Sequence, residues 1–298
     1  MLLATGFLVV LLWPCQAWAW GPLAHLSFTA GALESISLVS PATRLLLSQF
    51  SGDFLYGSLA ADIVVGKNLS AYAQHCHNWR IGFSVLDRAR GDRQKAFSLG
   101  FLAHLAVDTV AHNYYVPYKT VQGFRQRGAG HAYWELRYDQ RLSPDLWRVA
   151  RQVTQASYRE HDEHLEECLA ACHVLPFMVS KTLFGSLLLA ARLQKWQRMS
   201  ELLAGERAER LADEEVHECR KLAVGQIVGM LRDGTGALCT QADPTGGRNL
   251  HMASDLRLKL KRASGLSARE ANEIVRRSRP AFREGIYGRL ELPEIRVA

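Results

Sequence analysis

The 298-residue chain is 48% apolar or aromatic and has no low-complexity run, which excludes a disordered or fibrous polypeptide and allows one large domain or two. Its formal charge of +7 is uneven: residues 248–296 hold twelve Lys/Arg against six Asp/Glu, so the excess belongs to the C-terminal segment and not to the core. Six cysteines without scaffold spacing argue against a disulfide-built fold.

Residues 1–19 read as a secretory signal. Residues 2–13 are nearly all apolar but too short to span a bilayer comfortably, and Ala17-Trp18-Ala19 is an A-x-A cleavage site. The first six residues lack the usual Lys or Arg. Lipidation at Cys15 is the rival reading, which Pro14 disfavours. Cleavage after Ala19 makes the protein exported, periplasmic or secreted, and leaves an odd five cysteines. It also makes Trp20 the first residue. A free α-amine and the carbonyl of the same residue form a five-membered chelate, and His25 can reach the same ion.

Residues 27–50 predict a helix. Residues 57–66 place Asp62 alone among small and aliphatic residues, where an Asp is usually a cap or turn residue. His75 and His77 flank Cys76, which has no partner at Cys-x-x-Cys spacing. Residues 81–90 and 94–104 predict helices joined by the turn Arg90-Gly91-Asp92.

The stretch 100–115 carries the strongest signal. His104, Asp108 and His112 recur at intervals of four, so at about 100° per residue they fall within about 80° of one helix face. The residues between them are small or apolar. A carboxylate between two imidazoles on a helix fit for burial calls for a cation, because charges are rarely buried unless paired or metal-bound. The competing reading is one buried Asp–His pair and a core histidine.

Residues 116–130 predict a loop. His131 and Glu135 then repeat the i, i+4 spacing, a pattern that an exposed ion pair also satisfies. Residues 144–172 predict a charged amphipathic helix, with His161 and His164 on a solvated face. Residues 174–203 predict a buried helix rather than a membrane span, since Lys181 and Arg192 interrupt it. A helix over 212–232, a linker over 234–249 and short basic helices over 256–262 and 268–283 complete the chain. The expected division is a signal peptide (1–19), a helical domain (20–233), a linker (234–249) and a basic C-terminal segment (250–298).

Together, Trp20-Gly-Pro-Leu-Ala-His25, Ala61-Asp62, His77-Asn-Trp79, residues 96–113 and the His131–Glu135 pair resemble the zinc-dependent phospholipase C family. The likeness is to the bacterial branch that is also similar to the N-terminal domain of glycosylphosphatidylinositol-specific phospholipase D. It covers roughly residues 20–140. It implies an all-α, multi-helix phospholipase C-like domain around a trinuclear zinc site. By resemblance, Asp62, His77, His104 and Asp108 hold one ion. His112, His131 and Glu135 hold the second. Trp20, through its amine and carbonyl, holds the third with His25 and a shared Asp108. Ala61 departs from the proline of many relatives, and His75 competes with His77, which has the better spacing to Trp79. The spacing from Asp108 to His112 is shorter than in toxin-type phospholipases C and in fungal single-strand nucleases.

Three Zn²⁺ against three carboxylates and a hydroxide leave about +2, a site that attracts a phosphodiester and can activate water as hydroxide. Asp62 is the candidate to orient or deprotonate that water. Tyr114, Tyr115, Tyr118 and Phe124 offer either a rim for a headgroup or ordinary packing, and packing is favoured. The expected function is an exported, metal-dependent phospholipase C-like phosphodiesterase that acts on phospholipid. The basic C-terminal segment would bind the membrane surface peripherally; nucleic acid is not an expected partner. The alternatives are a nuclease or nucleotidase on the same core, and a non-catalytic, metal-stabilised lipid-binding protein.

Overall fold

A computed structural model describes residues 20–63, 76–126, 131–155, 158–169, 179–182, 184–185, 211–263 and 265–295. Among these residues there are twelve α-helices and no strand, the all-α architecture that the sequence predicts. In chain order they are α1 (Pro22–Glu34), α2 (Pro41–Gln49), α3 (Ser51–Ala60), α4 (Trp79–Asp87), α5 (Gly91–Val110), α6 (Val116–Gln122), α7 (His131–Asp139), α8 (Leu146–Gln155), α9 (Arg159–Cys168), α10 (Asp213–Asp233), α11 (Gly247–Arg262) and α12 (Ala268–Glu284). No helix among the described residues is long and apolar enough to cross a membrane. The expected signal peptide, His75 and nearly all of the predicted helix over 174–203 lie outside the described residues.

Helix α5 is the axis of the fold. Its residues from Ala96 onward are buried almost without interruption, because α1, α3, α4 and α10 surround it. A helix covered on all sides needs no polar face, which is why this stretch shows so little amphipathic pattern. Helix α3 lies closest. A Cβ on Gly57 would sit 1.9 Å from the carbonyl oxygen of Phe97, and one on Gly100 would sit 2.0 Å from that of Phe54. The two backbones touch at this pair, so neither position accepts a side chain. That crossing sets the height of Asp62, just beyond the end of α3, relative to His104 on α5.

Several boundaries differ from expectation. The helix predicted over 27–50 breaks at residues 35–40, where Ser40 caps α2 by accepting a bond from the Thr43 amide (3.2 Å) ahead of Pro41. The first half of the predicted loop 116–130 is helix α6, with Pro117 in its first turn. Between α5 and α6, residues Ala111–Tyr115 form a π turn. The helix predicted over 144–172 is interrupted at Tyr158, which is non-helical and precedes α9.

The solvated face expected at His161 and His164 is overturned: His161 is 0% and His164 5% exposed. His161 Nε2 pairs with Asp53 (2.5 Å), which Arg93 also reaches (3.0 Å), and His164 Nε2 donates to the Val85 carbonyl (2.9 Å). Asp162 accepts from Tyr56 and from Lys181. Helices α3, α4 and α5, with Lys181, supply these partners, so His161, Asp162 and His164 meet protein groups rather than solvent. Tyr114, Tyr115, Tyr118 and Phe124 are also buried, as packing residues. The stretch expected as a linker holds two 3-10 turns (Gly234–Gly236 and Leu238–Gln241), and α11 packs along α6.

Gly100→Ala should destabilise the protein by about 1–3 kcal/mol in a denaturant titration, because the added methyl meets backbone that cannot move aside. An ordinary helical Gly→Ala change gains up to about 1 kcal/mol. Unchanged or raised stability would contradict the backbone contact.

Candidate metal centre

Helix α5 presents His104 and Asp108 one turn apart, both fully buried. His104 Nδ1 lies 2.8 Å from the Ser58 carbonyl. A carbonyl only accepts, so Nδ1 carries the proton and Nε2 of the neutral ring keeps its lone pair. That lone pair faces His77 Nε2 at 3.0 Å, Asp108 Oδ2 at 3.3 Å and Asp62 Oδ1 at 3.8 Å. His77 Nε2 lies 3.4 Å from both Asp62 Oδ1 and Asp108 Oδ2. Zinc bonds of 2.0–2.1 Å to a tetrahedron of nitrogen and oxygen ligands separate those ligands by about 3.3 Å. Four side chains from three regions of the chain therefore converge at the edge lengths of one tetrahedral ion.

The other oxygen of Asp108 faces elsewhere. His25 Nε2, on α1, lies 3.3 Å from Asp108 Oδ1, and the His25 ring stacks on that of His104 at 3.8 Å between centroids. Both Asp108 oxygens and both His25 nitrogens are buried without a hydrogen-bond partner among the described residues. The two faces of the carboxylate thus address two different sets of imidazoles, as a bridging ligand would. Burial, followed by His104, lowers His25, which keeps that imidazole neutral and able to bind.

A second group forms one turn further on. His112 lies in the π turn, with its ring edge-on to that of His131 at 5.0 Å between centroids. His131 Nε2 lies 2.7 Å from Glu135 Oε1 on α7. His112, His131 and Glu135 offer one ligand atom each within reach of a single ion. The His112 Nδ1 proton goes to the Pro244 carbonyl (2.5 Å), which again leaves Nε2 for the site. π turns recur at functional sites, and this one falls on the third member of the spaced triplet.

Trp20 stands at the start of α1. Its indole is buried against Phe28, Tyr115 and Tyr138. The N-terminus of α1 is held by a residue that the sequence reading passes over. Asp139 accepts from the amides of Ala24 (3.0 Å) and Leu23 (3.4 Å), and a Cβ on Gly21 would lie 2.1 Å from its Oδ2. Burial pushes this carboxyl up to about 7, against those two amides. Asp139 follows Glu135 by four as Glu135 follows His131, so one face of α7 addresses both the site and the end of the helix that bears His25. The repeated spacing was the available signal.

The donor set is nitrogen and oxygen only, buried and convergent, which fits zinc. No group of three ligand atoms forms around His161 or His164 among the described residues. The model of a family described as zinc-dependent phospholipase C matches residues 24–176, just over half of the chain. No curated protein and no solved structure matches the chain.

Asp108→Asn should cost more bound zinc than His112→Ala, because Asp108 faces two ligand sets and His112 one. Elemental analysis of the two purified variants decides this, and equal, full zinc content in wild type and Asp108→Asn would contradict the assignment.

Proposed function

We propose, from the premise that the chain belongs to the zinc-dependent phospholipase C family, that it is an exported phosphodiesterase that cleaves phospholipid at this centre. The observation that carries the reading is the convergence of His77, His104, Asp62 and Asp108 at 3.0–3.8 Å. Family membership supports a metal-dependent, phospholipase C-like activity; the site residues, export and the chemical steps are the proposal.

Asp62, His77, His104 and Asp108 would hold one ion, and His112, His131 and Glu135 a second. His25 and the amine and carbonyl of Trp20 would hold a third, shared through Asp108. Zinc when bound supplies Lewis acidity toward a phosphoryl oxygen and lowers the pKa of water. The protein's own part is positional. His104 and His112 are locked into one tautomer by backbone carbonyls, so both present a lone pair without a prior proton loss. Asp62 sits at the rim of the cluster, 6% exposed, and would orient the attacking water and take its proton. Water would attack phosphorus, the phosphorus–glycerol oxygen bond would break, and the proton taken by Asp62 would pass to the leaving oxygen, giving diacylglycerol and a phosphorylated headgroup. Lys259, Lys261 and Arg262 on α11 and Arg269 and Arg277 on α12 are exposed, which supports peripheral contact with an anionic surface at about 1 kcal/mol per nearby cation.

Removal of residues 1–19 would create the Trp20 amine, so export would also complete the centre. In the precursor that nitrogen is an amide, a very poor zinc ligand. The purified chain that begins at Trp20 should carry zinc and release phosphorylated headgroup from phospholipid vesicles in preference to degrading single-stranded nucleic acid. The same chain with an extra Met before Trp20 should lose one ion and most turnover. Preference for nucleic acid would sink the substrate assignment, and full activity with the extra Met would remove the amine from the ligand set.

A further inference from the structure

His112 sends its outer hydrogen bond beyond the matched region 24–176, to the Pro244 carbonyl. The segment 242–246, Ala-Asp-Pro-Thr-Gly, crosses the π turn as a strap. Three successive carbonyls of it accept bonds from the metal-site side: that of Ala242 from Trp79 Nε1 (2.9 Å), that of Asp243 from Asn113 Nδ2 (2.8 Å) and that of Pro244 from His112 Nδ1 (2.5 Å). Trp79 follows the ligand candidate His77 by two residues, and Asn113 follows His112 directly. The strap therefore grips both ligand groups.

Its own shape is fixed. The Asp243 carboxylate accepts from the Thr245 amide (2.9 Å) and hydroxyl (2.7 Å), which closes the turn. Gly246 adopts φ +57°, and a Cβ there would lie 2.4 Å from the His112 carbonyl oxygen and 2.5 Å from its Cβ. Only glycine lets the strap close onto His112. Just beyond, Asn249 Nδ2 donates to the Asn113 carbonyl (3.0 Å), which Pro117, lacking an N–H, cannot serve four residues on.

We propose that this strap is a positioning element for the ion held by His112, His131 and Glu135: the Pro244 carbonyl fixes the tautomer and ring angle of His112, and Gly246 seats the carbonyl there. The inference rests on the reading of His112 as a ligand. The stretch expected as a linker thereby supports the centre.

The test is a zinc titration of the full exported chain against a chromophoric chelator, for wild type, His112→Ala, Gly246→Ala, Asp243→Ala and Pro244→Ala. The binding step that His112→Ala abolishes identifies the relevant ion. Gly246→Ala should weaken that step about 10–100-fold and leave the others within experimental error. Its bound cobalt should show an altered visible spectrum at that step alone. Asp243→Ala, which spares the glycine seat but opens the turn, should weaken the same step less, and it serves if Gly246→Ala does not fold. Pro244→Ala keeps the carbonyl and should keep the affinity. If wild type and His112→Ala titrate identically, His112 is no ligand and the inference falls with that reading. If His112→Ala loses a step that the strap variants keep, or if the strap variants weaken all steps in parallel, the ligand reading stands and the strap proposal is overturned.

Discussion

Asp108 is a carboxylate with no exposed surface at the centre of an all-helical protein. Burying one without a partner costs several kcal/mol, and the arrangement around it is the structure's answer to that cost. His25, His77 and His104 come from three separate elements and all approach its two oxygens at 3.3–3.4 Å. Neutral imidazoles alone do not neutralise a carboxylate. Their lone pairs and its charge together specify cations, so the same constraint that threatens stability also creates the site. Loss of the cations would leave the core with its least favourable charge uncompensated, and metal and fold should therefore be strongly coupled.

The packing near Asp108 holds the candidate ligands around it. The Gly57–Gly100 contact brings α3 against α5 without intervening side chains, and this puts Asp62 opposite His104. Asp139 holds the first turn of α1, and so the approach of His25. The Ser58 and Pro244 carbonyls each take one imidazole proton and turn the other nitrogen inward. These are backbone acceptors with no titration of their own, so the orientation they impose holds across the pH range in which the histidines are neutral. The ion-paired cluster at Asp53, Arg93 and His161 shows the contrast. There Arg93 and His161 reach the Asp53 carboxylate directly, and among the described residues no three ligand atoms gather at a common point.

What was legible in the sequence follows from the range of each signal. His104, Asp108 and His112 lie on one helix, so their spacing alone exposes the face, and the same holds for His131 and Glu135. Asp62 and His25 join that face only through tertiary packing. Alone, Asp62 resembles a helix cap, and only the resemblance to the family gives it a role. His161 and His164 fail in the opposite sense: a charged helix face reads as solvated unless one knows that Asp53 and Val85 lie against it. The strap at 242–246 was invisible for a further reason. It acts through main-chain carbonyls, which every residue has, and its Gly, Pro and Thr composition reads as a linker.

If Asp108 organises a multinuclear zinc centre, ions must lie on both sides of its carboxylate. Anomalous diffraction from crystals of the zinc-loaded chain that begins at Trp20, collected on both sides of the zinc edge, locates them. One peak should be enclosed by Asp62, His77, His104 and Asp108, one should lie beside His112, His131 and Glu135, and a third on the His25 side of Asp108. Zinc peaks absent from Asp108, or found instead at Asp53 and His161, would contradict it.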